Sequence, residues 1–223
     1  MHIEPGVVDG AKMALAWGTA AAAAGVSLKL IADDLKTHSL PSFAARSVLA
    51  MIGTFICFEV LPHVAVGISE VHIILGTTLL LILGAGPAAV GLAAGLLVQG
   101  LFFAPTDLPM YFVNVTTLLF PLFAIHMIAR RIIPATKAYV DLSYAEVLKL
   151  SAAYQGGIVA WVAFWALYGQ GAGVMSDVLS FGAAYMLVIA IEPLADLAAL
   201  AIAKTLHRHK DSGLFVDRLH RAA

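Results

Sequence analysis

The amino-acid sequence predicts an all-α polytopic membrane protein with about seven transmembrane helices. Of its 223 residues, 61% are hydrophobic and only 12% are charged, whereas a soluble domain carries about 25% charged residues. Several apolar runs approach the length of about 20 residues that a helix needs to cross a bilayer. The whole chain, residues 1–223, is therefore expected to form a single integral membrane domain that ends in a basic cytoplasmic tail at residues 204–223.

The expected spans are separated by connections rich in polar residues, glycine and proline. They cover residues 8–30, 43–61, 71–83, 88–103, 110–128, 144–168 and 178–203. The third span is short for a bilayer crossing, which is tolerated where its outer end is a loop buried in protein. In the first span, alanines recur every four residues, at Ala16, Ala20 and Ala24. Small residues at this spacing let helices approach closely, either within the bundle or against a partner subunit.

Lysine and arginine are distributed unevenly between the two sets of connections. They cluster at alternate connections and in the tail, and Lys12 is the one basic residue near the opposite set. An excess of positive charge marks the cytoplasmic side of a membrane protein. The N-terminus and the connections at residues 62–72, 104–109 and 169–176 are therefore expected outside, and the C-terminus is expected in the cytoplasm.

The sequence lacks the common marks of catalysis and of nucleotide hydrolysis. It contains no Gly-x-x-x-x-Gly-Lys-Ser/Thr phosphate loop and no His-Glu-x-x-His motif. We therefore expect a protein that is not an enzyme and has no enzyme cofactor. The single cysteine, Cys57, lies in an apolar run, which indicates a buried core thiol. The start lacks the basic region of a signal peptide, so Met1 is expected to remain at the N-terminus.

The first two residues can chelate a transition metal. The Met1 α-amine, the His2 backbone nitrogen and the His2 imidazole can close five- and six-membered rings around one ion. Such nitrogen donors suit Ni(II), Cu(II) and Co(II), and a square-planar ion takes a fourth ligand. Two histidines on the same expected face can supply it. His72 is the preferred ligand, and His63 is expected on the path of the incoming ion or beside the ligands.

Acidic residues lie near the expected outer ends of the spans. Glu59 closes the second span and Glu70 lies beside His72, while Asp9 and Asp107 lie in other outer segments. Together they either form an anionic funnel for a divalent cation or serve local structural roles, such as capping a turn.

Three ionisable residues are expected in the inner halves of their spans, where such groups are costly and commonly functional. Glu192 and Asp196 are four residues apart on one helix face, and His126 lies in another span. Either the two carboxylates form a structural polar knot with His126 or Lys29, or they relay protons or ions.

Several motifs resemble the CbiM/NikM family, whose members are substrate-specific components of energy-coupling factor (ECF) transporters for cobalt and nickel. The resemblance covers most of the chain. It rests on Met1-His2-Ile3, on Gly6, on Ser69-Glu70-Val71-His72-Ile73, on the leucine-rich residues 79–87, and on Gln99 followed by Leu101-Phe102-Phe103. It implies a helical bundle with the N-terminal segment in its core and a metal ion bound by Met1, His2 and His72.

The sequence also departs from the family pattern. Ile68-Ser69-Glu70 replaces the usual Gly-Thr-Ser or Gly-Ser before Val-His and adds a carboxylate, and Val7-Val8 replaces Leu-Pro. Asn114 matches one of the family's asparagines, which support the metal loop by hydrogen bonding. The residues expected to surround the ligands are therefore His63, Glu70, Asn114 and Glu59.

The resemblance implies a transport function that depends on other chains. We expect the protein to bind Co²⁺ or Ni²⁺ for import across a bacterial or archaeal inner membrane. Its expected partners are a transmembrane coupling subunit, ATPase subunits and a small accessory membrane subunit. The alternative is a stand-alone secondary permease in which His126 and Glu192 lie on a proton or ion path.

Overall fold

The computed structural model describes residues 3–134 and 136–207 and shows an all-α helical bundle with one short β-hairpin. In these residues the α-helices are α1 (Met13–Asp34), α2 (Leu40–Phe55), α3 (Gly76–Leu83), α4 (Ala85–Phe102), α5 (Tyr111–Ile132), α6 (Tyr144–Gln170) and α7 (Met175–His207). The hairpin lies between α2 and α3 and consists of β1 (Val64–Val66) and β2 (Ser69–Val71). The all-α fold class predicted from the sequence is confirmed.

The helices are apolar enough for a multi-pass membrane protein. In the described chain five segments are long and apolar enough to cross a membrane, and the last of these, Tyr144–Thr205, contains α6 and nearly all of α7. By contrast, α3 has only 8 residues, which correspond to about 12 Å of helix. The number of crossings and the sides on which the termini lie stay predictions.

The buried loop expected at one end of the short third span is present. Residues 72–75 are not helical and connect β2 to the start of α3. His72 and Ile74 are buried, and Leu75 adopts a left-handed conformation with φ of 60° immediately before the helix. The non-helical backbone of residues 72–75 is therefore enclosed by protein, which is the condition under which such backbone occurs within a membrane.

The first helix begins later than the sequence predicts, at Met13 instead of residue 8. The preceding backbone turns through Gly6 and Gly10, which have positive φ angles of 88° and 52°. Val7 and Val8 are buried in this turn, which accounts for the apolar residues before the helix. A hydrophobic run therefore does not mark the start of the helix here.

Helix α1 lies at the edge of the bundle, whereas α4 and α5 lie at its centre. In α1 only Ala16 and Ala23 are buried, although long stretches of α4 and α5 are buried. The predicted stripe of small residues is buried at Ala16, half-buried at Ala20 and exposed at Ala24. Only part of the stripe therefore packs within this chain.

A small β-ribbon covers the end of the bundle that carries the N-terminal segment. β1 and β2 pair in an antiparallel register and are joined by a two-residue turn, Gly67-Ile68. Ile3 forms an antiparallel bridge with Ser69, so the N-terminal segment lies along β2. The sequence predicts only a connection in this region, because strands of three residues are too short for a clear alternating pattern.

Candidate metal centre

The N-terminal segment is held in the bundle by backbone hydrogen bonds. The backbone nitrogen of Ile3 donates to Oδ1 of Asn114 at 2.8 Å, and the backbone nitrogen of Glu4 donates to the carbonyl of Ile68 at 3.0 Å. Ile3 and Asn114 are both buried. The two predicted ligand residues that precede Ile3, Met1 and His2, lie outside the described residues.

The next residues of this segment contact the C-terminal end of α6. Nε2 of Gln170 donates to the carbonyl oxygens of Gly6 and Val7, at 2.7 and 2.9 Å. A Cβ atom on Gly169 would lie 1.9 Å from the carbonyl oxygen of Val7, so only glycine allows this close approach. The ε-amine of Lys12 also donates to the carbonyl of Gly169. These contacts were not predicted from the sequence.

His72 is the one predicted ligand that the structure describes, and its ring is oriented by its surroundings. It directly follows β2 and is only 2% exposed. Its Nδ1 lies 3.1 Å from the carbonyl oxygen of Ile73, a contact that requires a hydrogen on Nδ1 and leaves the lone pair on Nε2. The ring of Phe58 packs against the imidazole, with ring centroids 4.5 Å apart. Such orientation by a carbonyl is typical of histidines that bind metals.

Two carboxylates of α7 bind the backbone that follows His72. Glu192 accepts hydrogen bonds from the backbone nitrogens of Ile74 and Leu75, at 2.7 and 2.8 Å. Asp196 accepts from the backbone nitrogen of Thr78 at 3.2 Å and also from its hydroxyl. Both acidic residues are fully buried. These bonds join α7 to the start of α3.

The partners predicted for Glu192 and Asp196 in a polar knot were wrong. In the described part of the chain Glu192 binds the backbone of Ile74 and Leu75 and Asp196 binds Thr78, and no hydrogen bond joins either carboxylate to His126 or Lys29. A signal for the correct partner is present in the sequence, because the first turn of a broken membrane helix offers free amides that attract carboxylates. On this basis the sequence could have predicted that the short third span binds Glu192 and Asp196 at its start.

Glu59 and Gln99 contact each other beside the Asn114 side chain. Nε2 of Gln99 lies 3.4 Å from a carboxylate oxygen of Glu59. Gln99 and Asn114 line a small cavity together with Asp107 and Tyr111, and its size is close to that of one water molecule. Gln99 thus contacts the predicted neighbour Glu59 and lines the same small cavity as the predicted neighbour Asn114.

The end of the bundle that carries the hairpin is acidic. Glu70 is half-buried on β2, and Glu4 lies on the N-terminal segment that runs along this strand. Burial, together with the negative charges of Glu70 and Asp107, raises the pKa of Glu4 above its usual value. The three carboxylates therefore share a region of negative potential.

His63 and His72 are brought to the same end of the hairpin, but their surroundings differ. The first strand begins just after His63, and its first residue, Val64, pairs with Val71. His63 is exposed, and its Nδ1 lies 3.3 Å from the carbonyl of Leu61. His72 is buried. In the described residues no three histidine, cysteine or acidic side chains form a group that could hold a metal ion.

Comparisons with known proteins give two matches. A family model described as CbiM, cobalt uptake substrate-specific transmembrane region, matches residues 2–209. The fold is similar to a crystal structure titled as that of a truncated transition metal transporter, with a TM-score of 0.68 and 18% sequence identity. That similarity covers 94% of this chain and 99% of the other. No curated protein matches in sequence.

Proposed function

The chain belongs to the CbiM family of cobalt-uptake substrate-specific transmembrane proteins, and on this premise we propose that it is the substrate-binding membrane component of an ECF transporter importing Co²⁺ or Ni²⁺. The family membership confirms the resemblance noted in the sequence. It makes the chain a multi-pass component of metal transport and not an enzyme. The alternative of a stand-alone permease has less support, because Glu192 is hydrogen-bonded to the backbone of Ile74 and Leu75 and not to His126.

The proposed ligands are the Met1 α-amine, the His2 backbone and imidazole nitrogens, and Nε2 of His72. The observation that carries this proposal is the bridge between Ile3 and Ser69, which holds the N-terminal segment along the strand leading to His72. Four nitrogen donors in a plane suit Ni(II) well and also accept Co(II). A set of four leaves no open position for a reacting water, in keeping with transport.

Residues around the ligands have supporting roles in this proposal. Asn114 holds the backbone next to His2, since it accepts the hydrogen bond of Ile3. Glu70 and Glu59 supply negative charge that attracts a divalent cation to the outer face. His63 is exposed beside the hairpin and serves as an early contact for the incoming ion.

Energy for import comes from other chains in this proposal. The partners are a transmembrane coupling subunit, paired ATPases and a small accessory membrane subunit, in the inner membrane of a bacterium or archaeon. Residues 1–223 act as one membrane domain. ATP hydrolysis in the partners shifts the component from an outward state with high metal affinity to an inward state with lower affinity, because only a difference in affinity can drive release.

The test is isothermal titration of Ni(II) and Co(II) into the purified full chain in detergent. We expect tight binding by the native protein and none by a variant carrying one extra residue before Met1, because the extension displaces the free amine. We also expect His72→Ala to bind far more weakly. His63→Ala is the matched control and should keep its affinity.

Undiminished affinity in the extended protein would rule out the proposed ligand set. Metal uptake by cells that produce this chain without any ATPase partner would favour the permease over the ECF component. Uptake that appears only when coupling and ATPase subunits are produced together would support the proposed partnership.

A further inference from the structure

We propose that Glu192 is a positioning residue that holds His72 in its metal-binding geometry by fixing the backbone between His72 and α3. This inference rests on the proposed function, because it assumes that the metal is bound at His72. Glu192 is not a ligand in this proposal. Its carboxylate acts through the loop.

The contact between Glu192 and the loop is bidentate. Oε2 accepts from the backbone nitrogen of Ile74 and Oε1 from that of Leu75, at 2.7 and 2.8 Å. Two parallel hydrogen bonds to the oxygens of one side chain fix a defined geometry as well as adding strength. Ile74 is only two residues beyond His72, so the fixed part of the backbone begins next to the proposed ligand.

The loop needs such a restraint because its backbone is not in a relaxed conformation. Leu75 has φ of 60°, and in the described residues it is the one non-glycine residue with positive φ. This left-handed conformation is unfavourable for a residue with a Cβ atom. A conformation of this kind persists where surrounding contacts enforce it, and the bond to Glu192 is formed by the nitrogen of Leu75 itself.

The same carboxylate sits at the start of α3, where it is favoured by the helix dipole. One turn further along α7, Asp196 accepts from the backbone and the hydroxyl of Thr78. At the other end of α3, Nη1 of Arg46 donates to the carbonyl of Leu83 at 2.7 Å. Both ends of α3 are thus bound by buried polar side chains, and the loop that carries His72 leads directly into this helix.

The burial of Glu192 in a membrane helix indicates that this residue does more than stabilise the packing of α7 against α3. A buried carboxylate is costly in a bilayer, and an apolar side chain could pack between α7 and α3 at lower cost. An apolar side chain at this position would leave the amides of Ile74 and Leu75 without acceptors. The carboxylate satisfies both amides and so sets the position of the backbone on which His72 is carried.

The experiment compares Glu192→Gln and Glu192→Ala with the native full chain and with Tyr185→Phe. Tyr185 lies on the same buried face of α7, and its hydroxyl donates to Gln155 at 2.6 Å, away from the loop. Tyr185→Phe therefore removes a buried hydrogen bond of α7 that does not involve the segment after His72. For each protein we would measure melting temperature, Ni(II) affinity and the visible absorption spectrum at saturating Ni(II).

We expect Glu192→Gln to weaken Ni(II) binding by about 10- to 100-fold, the usual effect of removing a group that orients a metal ligand. Its spectrum should shift toward that of His72→Ala, because His72 no longer reaches the ion in the same geometry. Glu192→Ala should show the larger shift. Tyr185→Phe should melt at a lower temperature but keep the native spectrum and, within about twofold, the native affinity.

A native spectrum and affinity in Glu192→Gln would overturn the inference, and so would equal losses in Glu192→Gln and Tyr185→Phe. If the native chain itself bound no Ni(II), the proposed function would fail instead. A measurement without any variant gives a further check. Ni(II) should slow amide hydrogen exchange at Ile74 and Leu75 in the native protein, and unchanged exchange would contradict the proposed link.

Discussion

The backbone nitrogen of Ile3 donates a hydrogen bond to Oδ1 of Asn114 across 2.8 Å, although 111 residues separate them. Both residues are buried. A buried amide without an acceptor is costly. Because Asn114 supplies that acceptor, the bond stabilises the N-terminal segment in its position inside the bundle. Asn114 thereby connects the first turn of α5 with the residue that follows His2.

Asn114→Ala should weaken Ni(II) binding by about 10-fold or more, since groups that orient metal-binding segments typically have effects of this size. The variant leaves the amide of Ile3 buried without its acceptor, at a cost of about 1–3 kcal/mol to the free energy of unfolding. Isothermal titration and thermal unfolding would measure the two effects.

Thr117→Val is the control for Asn114→Ala. Its hydroxyl bonds only to the carbonyl of Asn114 within the same helix, and valine keeps nearly the same shape. Its Ni(II) affinity should equal that of the native chain. Equal affinities in Asn114→Ala and the native protein would mean that Ile3 is held in place by its strand pairing alone.

Gly169→Ala should reduce metal binding by displacing the N-terminal segment. The added methyl group would lie 1.9 Å from the carbonyl oxygen of Val7, so either this segment or the end of α6 must move. Gly156→Ala is a control on the same helix, because its methyl group would meet no atom within 4 Å. Titration should show a loss of affinity in the first variant only, and a similar loss in both would point to an effect on α6 as a whole.

The fold class was predictable because a bilayer restricts the backbone to a few structures. Apolar runs without charge must become helices there, since every backbone amide has to be paired within the segment. The start of α1 was not predictable from hydrophobicity, because Val7 and Val8 are buried in a turn. The β-hairpin was missed for a different reason, as its strands of three residues leave almost no pattern.

The candidate site was only partly predictable. His72 and Asn114 could be selected because they match family motifs. The contacts of Gln170 with Gly6 and of Glu192 with Ile74 join segments more than 100 residues apart. Such contacts have no local signature in one sequence. The presence of a carboxylate in a membrane span predicted that Glu192 needs partners, but the identity of the partners depends on how the helices pack.

Phe58→Leu should weaken Ni(II) binding by up to about 10-fold, because an aromatic contact contributes about 0.5–1.5 kcal/mol beyond its burial. The ring of Phe58 packs on His72 from a single π-helical turn at Ile56–Val60. Leucine preserves an apolar side chain there but allows the imidazole to rotate. The measurement is the affinity together with the visible spectrum of bound Ni(II).

Phe55→Leu is the matched control for Phe58→Leu, because the ring of Phe55 contacts Phe103 instead of the His72 loop, with centroids 5.0 Å apart. It should bind Ni(II) like the native chain. A spectrum of Phe58→Leu identical to the native one would show that the carbonyl of Ile73 alone is sufficient to orient His72.

Arg46→Met should destabilise the bundle much more than loss of a surface ion pair does. Arg46 pairs with Asp34, and both side chains are about 10% exposed. Removing one partner of a buried pair costs about 3–5 kcal/mol, because the other charge stays buried. Here the change also removes the donor to the carbonyl that ends α3. Denaturant unfolding in detergent would measure the loss.

Lys36→Met provides the comparison, since Lys36 pairs with Asp33 at the surface, where water screens the two charges and loss of the pair should change stability little. The double variant Asp34→Asn/Arg46→Met should be more stable than Arg46→Met alone, because it removes the uncompensated carboxylate along with its partner. Equal stability of the double and single variants would contradict a buried, mutually dependent pair. It would assign the contribution of Arg46 to its bond with the carbonyl of Leu83.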